Sequence, residues 1–237
     1  MALDTRWKLP QGKTPDALYD CLFQLIRELR KGDYLGADGV SYDNGTSGLT
    51  ADDVQEAVDE LAGNQSLVLL DSGTFSNTPT LDLVLSSYTA YRGVRLVVSS
   101  LAPASNDVDL WMRLSSDGGS TFATTSYEYA MLGLSTASDT PIVQRANGQA
   151  QFLLAGDAVA GGLNSSDGAH VVIDWFDHLA NRNPRIFVSV GWRVSSGQRR
   201  GLTGIVERGT AAAYNALRIL CESGNIASGK WALYGYL

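Results

Sequence analysis

The sequence is poor in the side chains from which most catalytic and metal centres are built. Its 237 residues include two histidines, His170 and His178, and two cysteines, Cys21 and Cys221, which lie 200 positions apart. That spacing excludes the disulfide framework of a small secreted domain. So few thiols and imidazoles leave little from which to assemble a zinc, Ser-His or Cys-His site, so no metal or cofactor is expected. Charged residues make up only 18% of the chain and prolines number 6; this composition excludes a disordered tail, a long coiled coil and a collagen. No apolar run approaches the roughly 18–20 residues of a membrane helix, and the opening MALDTRWKLPQGK lacks the apolar stretch of a signal peptide. The expectation is a soluble chain made in the cytoplasm, without membrane insertion.

What charge there is lies unevenly. Residues 1–32 carry six basic and four acidic side chains, residues 33–64 eight acidic and none basic, and residues 65–237 twelve basic and thirteen acidic. The acidity thus sits in one short stretch, and the basic stripe of a nucleic-acid binder is missing. Nucleic acid is not an expected partner.

Two helical segments open the chain. In TPDALYDCLFQLIRELRKG, Thr14 can cap, Pro15 suits the first turn, and Leu18, Leu22, Leu25 and Leu29 form a narrow seam. The Gly- and Asp-rich run from Gly32 to Gly48 has no apolar period and predicts a linker. Asp33, Asp38 and Asp43 do not match the twelve-residue calcium loop, so they are read as solvated turns. In LTADDVQEAVDELAGN, Thr50 is the expected N-cap, and Val54, Val58 and Leu61 repeat the seam spacing. Short helices with such stripes are marginal alone, so residues 1–64 predict an arm for attachment and oligomerisation.

From Gln65 the apolar period changes to two. Val108, Leu110, Met112 and Leu114 alternate with Asp109, Trp111 and Arg113, and the same pattern runs through Ile186-Val188-Val190-Trp192 and Leu217-Ile219-Cys221. Strands are predicted at 67–71, 80–86, 91–100, 107–115, 125–131, 151–155, 169–175, 185–194, 202–208, 213–221 and 230–237. With no helical pattern between them, they predict a mainly β protein: an antiparallel, jelly-roll-like β-sandwich at 65–237 behind a short α-helical N-terminal arm. Within it, Ser115-Ser116-Asp117-Gly118-Gly119-Ser120-Thr121-Phe122 fits the Asp-box pattern, a β-hairpin turn of sialidase-like propellers and carbohydrate-binding domains. The pattern occurs once, without the blade repeat of a propeller, so it predicts a hairpin and not an enzyme.

Two further motifs carry a resemblance. Gly48-Leu49-Thr50-Ala51, Val54-Gln55, Ala57 and Glu60-Leu61, and near the end Gly224, Ile226, Ser228, Gly229 and Leu233-Tyr234-Gly235, are similar to segments of bacteriophage tail-fibre, spike and other virion-appendage proteins. Gene transfer agents use appendages of the same kind. The resemblance covers roughly 30 residues and fixes a class better than a ligand. It implies a homotrimer located in the virion, contacts with other virion proteins through residues 1–64, and receptor binding to host cell-surface polysaccharide. The alternative is a structural collar or connector of head or tail without a ligand.

Sugar binding needs aromatic faces beside planar hydrogen-bonding groups. Trp111, with Asp109 and Arg113 on the same strand parity, is one candidate; the same face suits a subunit interface. The other is the loop expected after the strand at 169–175, IDWFDHLANRNPR, with Trp175, Asp177, His178, Asn181 and Arg182. Its alternative is a corner in which Trp175 and Phe176 are core. Asp107 with Asp109, or Asp174 with Asp177, would be the carboxylate pairs of a glycan hydrolase. No motif singles them out, and the expectation is a protein without enzymatic activity. Gln198-Arg199-Arg200 reads as a basic turn able to meet an anionic sugar or simply solvent.

Overall fold

The computed structural model describes residues 49–63, 66–156 and 161–237, together with Phe23 and Ser41. Leu18, Leu22, Leu25 and Leu29, and the linker aspartates, lie outside the described residues. The chain divides into two compact units, Met1–Gln65 and Ser66–Leu237.

In the first unit, helix α1 spans Val54–Gly63. Its cap is Asp53, not Thr50: the Asp53 carboxylate accepts the Glu56 N–H at 2.7 Å. An aspartate three residues before that donor is the geometry an N-cap requires. Thr50 serves elsewhere, donating its N–H and hydroxyl to the Glu60 carboxylate at 2.8 and 3.0 Å. Val54 is half-buried, while Val58 and Leu61 are 52% and 56% exposed, so most of the predicted seam is uncovered.

The second unit is built from strands β1 (Leu67–Thr78), β2 (Thr80–Val84), β3 (Gly93–Pro103), β4 (Leu110–Ser115), β5 (Tyr127–Ser135), β6 (Ser138–Gln149) and β7 (Phe152–Ala155). They are followed by β8 (Ala169–Phe176), β9 (Asn181–Arg182), β10 (Arg185–Arg193), β11 (Arg199–Arg208), β12 (Ala212–Ala213), β13 (Ala216–Cys221) and β14 (Ile226–Tyr236). The large sheet has the order β1-β14-β3-β8-β10-β11-β5-β6 and the small one β2-β13-β4-β7, while β9 and β12 form a separate two-stranded ribbon. Every pairing is antiparallel.

The inner faces of the two sheets share one core. Leu96, Val171, Ile173, Trp175, Ile186 and Val188 of the large sheet cluster with Leu83, Leu110, Met112, Leu217 and Ile219 of the small one. Burial of these alternating side chains is what holds the sheets together, which makes this an antiparallel β-sandwich.

The long strand β6 falls where no strand is predicted. Its sequence, SDTPIVQRANGQ, is polar and contains Pro141, and only Ile142 and Gln144 are buried. It pairs with β5 alone. A proline costs least on such an edge, where one side of the strand has no ladder to complete. Gln144 is the internal polar residue of this strand, and its side-chain amide donates to the Gly156 carbonyl at 2.7 Å.

Candidate functional site

The two groups of predicted binding residues belong to different sheets. On β4, Leu110, Met112 and Leu114 point into the core, so Trp111 and Arg113 point outward, both half-buried. Register extends this into two rows across the small sheet. Trp111 stands between Leu220 of β13 and Leu153 of β7, with Thr80 of β2 beyond Leu220. In the next row Arg113 stands opposite Arg218, and Arg218 opposite Asp82.

The polar row is organised by planar groups. Arg218 binds Asp82 through two hydrogen bonds of 2.7 and 2.6 Å, and its guanidinium lies 4.0 Å from the Phe122 ring centroid. The acid partner and the ring hold this arginine flat. Arg113 donates through Nη2 to Gln151 Oε1 at 3.3 Å, whereas its buried Nε–H has no acceptor among the described residues. A buried guanidinium donor without a partner is costly, so the position of Arg113 is held by its packing and its Gln151 contact against an unmade hydrogen bond.

Asp109 lies one residue before β4, and its carbonyl accepts the Glu222 N–H at 2.9 Å. Asp107 and Asp109 do not share a strand face: Asp107 sits in a turn at φ 62° and accepts the Gly162 N–H at 3.0 Å.

Phe122 ends the Asp-box, which is formed in full. The Ser115 hydroxyl donates to the Asp117 carboxylate at 2.6 Å, and that carboxylate accepts the Thr121 N–H at 2.9 Å and hydroxyl at 2.6 Å. Gly118 and Gly119 take φ of 72° and 87°, in the left-handed region. The turn is closed by Ala123 N–H donating to the Leu114 carbonyl at 2.9 Å. It is not a hairpin between neighbours, however. β4 lies in the small sheet and the next strand, β5, in the large one, so the box carries the chain between sheets.

Hydrogen bonds from Ser115 and then Thr121 hold the Asp117 carboxyl down at about 2. A depressed acid stabilises the fold above its unfolded value, about 3.9, and that contribution disappears as pH falls through about 2. Wild type and Asp117→Asn are therefore expected to differ in melting temperature at neutral pH and to converge between about pH 4 and 2. Parallel melting curves across that range would refute the assignment.

The second predicted group is a closed corner of the large sheet. Trp175 is 1% exposed and belongs to the core, and His178, 2% exposed, lies edge-on to it at 6.2 Å. Burial pushes the His178 imidazole below its ordinary value, against the raising effects of the Leu85 backbone and Asp177. Neither ring offers a face to a sugar. The segment is not an open loop, because Asn181–Arg182 pairs with Ala212–Ala213 and Arg182 is ion-paired with Asp177. Asp177, Asn181 and Arg182 remain exposed.

Alternation along β8 turns Asp174 and Phe176 outward instead. Arg95 grips Asp174 with bonds of 2.6 and 2.8 Å, and the Tyr236 hydroxyl donates to the same carboxylate at 2.6 Å. Burial raises the Asp174 carboxyl, but these bonds outweigh it and hold the group below the usual range, while Tyr236 is pushed up to about 12. Asp174 and Asp177 thus answer to separate arginines, Arg95 and Arg182.

Arg218, Asp82 and Gln151 were not singled out from the sequence, and Phe122 only as the end of the Asp-box. The parity of Arg218 within 216–221 was legible, but its partners come from three distant segments. No protein-family model and no curated protein matches the chain.

Proposed function

We propose that residues 66–237 are the binding domain of a virion appendage of the phage fibre or spike kind, and that it binds host surface polysaccharide through the Trp111 face of the small sheet. The observation that carries this reading is the pair of rows just described. An apolar indole flanked by leucines runs beside fixed planar groups, the half-buried Arg113 and the Arg218–Asp82 pair. A pyranose presents the complement, C–H faces for the indole and equatorial hydroxyls for the guanidinium. Two parallel rows on the outer face of a sheet suit recognition of a chain, and the reading is non-enzymatic. Weak single-site affinity is sufficient when several copies act together.

In this reading residues 1–65 attach the domain to other virion proteins and assemble it as a homotrimer, in keeping with the uncovered Val58 and Leu61 of α1. Full-length protein is expected to bind purified capsular polysaccharide in a sedimentation assay, and Trp111→Ala to lose at least about tenfold in apparent affinity with its melting temperature within about 2 °C of wild type. Light scattering on the same samples is expected to show an oligomer that deletion of residues 1–65 abolishes. Failure of the wild type to bind any host polysaccharide would favour a structural joint, and release of reducing sugar would overturn the non-enzymatic reading.

A further inference from the structure

The outer face of the large sheet carries a trough separate from the Trp111 face. Gly191 of β10 and Gly201 of β11 stand directly opposite each other. Glycine inside a strand weakens it, and usually marks a bulge or a close approach of backbone or ligand. Elsewhere in this sheet packing supplies the reason: a Cβ on Gly133 would stand 1.8 Å from the Gly201 carbonyl oxygen, and one on Gly204 2.1 Å from that of Ala130. At Gly191 and Gly201 no such reason exists. Neither has a positive φ, and an added Cβ would meet nothing nearer than 3.8 and 3.9 Å.

Gly191 is shared by two adjoining hollows of about 430 and 400 Å³, and Gly201 lines the second of them. Along the apolar side, Leu134 stands opposite Gly201 and Leu132 opposite Thr203, and they are 63% and 57% exposed. Next to the glycine pair, the Ser189 and Thr203 hydroxyls lie 3.0 Å apart across the strands. At the other end Arg193 and Arg199 face each other directly, and His170 stands opposite Gly191. Like charges opposed across a strand pair repel. Among the described residues lining this end the one carboxylate is that of Asp167, which is ion-paired with Arg193.

We propose that this trough is a subsite for a carboxylated sugar, such as a uronic acid residue of an acidic polysaccharide. The ring lies flat on the Gly191–Gly201 backbone with a C–H face against Leu134. Ser189 and Thr203 exchange hydrogen bonds with its hydroxyls, and the carboxylate meets the Arg199 guanidinium in a charge-assisted pair. Arg199 is two residues from Gly201, about 7 Å along the strand, a distance that one pyranose bridges. The sugar's charge also relieves the repulsion between the two opposed arginines.

The test is a titration of the full-length protein at constant ionic strength with sodium D-glucuronate, D-glucose and sodium acetate, read by calorimetry and by amide shifts at Gly191 and Gly201. Glucuronate is expected to bind about tenfold or more tightly than either control, and Arg199→Ala to remove that preference. Gly201→Val fills the trough, so it is expected to abolish binding while leaving the melting temperature unchanged or higher; a merely structural glycine would give the opposite result. Trp111→Ala is expected to leave glucuronate binding intact, which separates this site from the Trp111 face. Equal binding of glucose or acetate, undiminished binding in Gly201→Val, or no saturable glucuronate binding would overturn the proposal.

Discussion

Trp175→Ala is expected to be the most destabilising of the aromatic substitutions, at about 3–5 kcal/mol. The indole is 1% exposed, its strand neighbours Ile173 and Val171 are equally buried, and His178 packs against its edge. Removing it leaves a cavity that strands held on both sides by β3 and β10 cannot close. For a unit of this size, about 2–4 °C is lost per kcal/mol, so thermal denaturation should move down by about 10 °C. The adjacent Phe176 is 44% exposed and touches chiefly Tyr236, with ring centroids 4.8 Å apart. Phe176→Ala should cost about 1 kcal/mol or less. A melting temperature for Trp175→Ala equal to that of Phe176→Ala would contradict the inward orientation. Loss of polysaccharide binding in Trp175→Ala would report a damaged core, not a lost sugar contact.

Gly133→Ala is expected to have the second large effect, through the backbone rather than a cavity. The new methyl carbon would stand 1.8 Å from the Gly201 carbonyl oxygen and 2.7 Å from the Leu202 side chain. A flexible side chain could turn away, but a carbonyl in a ladder between β5 and β10 cannot move without loosening both pairings. The cost should reach or exceed the upper part of the about 1–3 kcal/mol range of overpacked cores. Gly201→Ala, by contrast, meets nothing closer than 3.9 Å and should be neutral or stabilising by roughly 0.5 kcal/mol, since it reduces the entropy of the unfolded chain. Urea denaturation of the two variants is the check: the midpoint of Gly133→Ala should fall while that of Gly201→Ala holds or rises. Equal midpoints would mean that the close approach of β5 to β11 is wrong.

These two substitutions mark where local sequence is informative and where it is silent. The alternation Ala169, Val171, Ile173, Trp175 was sufficient to place the indole with the core residues and Asp174 and Phe176 opposite. The density of rings and polar groups after residue 173 pointed to a surface site, and parity overrode it. Strand β6 escaped because an edge strand with one partner buries only two side chains and need not alternate cleanly. The Asp-box was legible to the atom, because Ser115, Asp117 and Thr121 satisfy one another within seven residues. Its role in carrying the chain from one sheet to the other was not, since that depends on where β5 finds its partners.

By itself, then, the sequence determined what depends on neighbours in the chain: the mainly β class, the two-residue period of most strands, the short apolar stripe of α1 and the Asp-box turn. Pairing and register were decided by tertiary structure, because the partners are far apart along the chain. Leu67 meets Tyr236, and Arg218 meets both Asp82 and Arg113. Only that register puts Trp111 between two leucines, leaves the Arg113 Nε–H without an acceptor among the described residues, and opposes Gly191 to Gly201 beneath two facing arginines. Each strand's own pattern says which side is apolar. Which residues from distant strands share that side is settled by the collective burial of both sheets, in which a shift of one residue would turn every side chain of a strand to the other face.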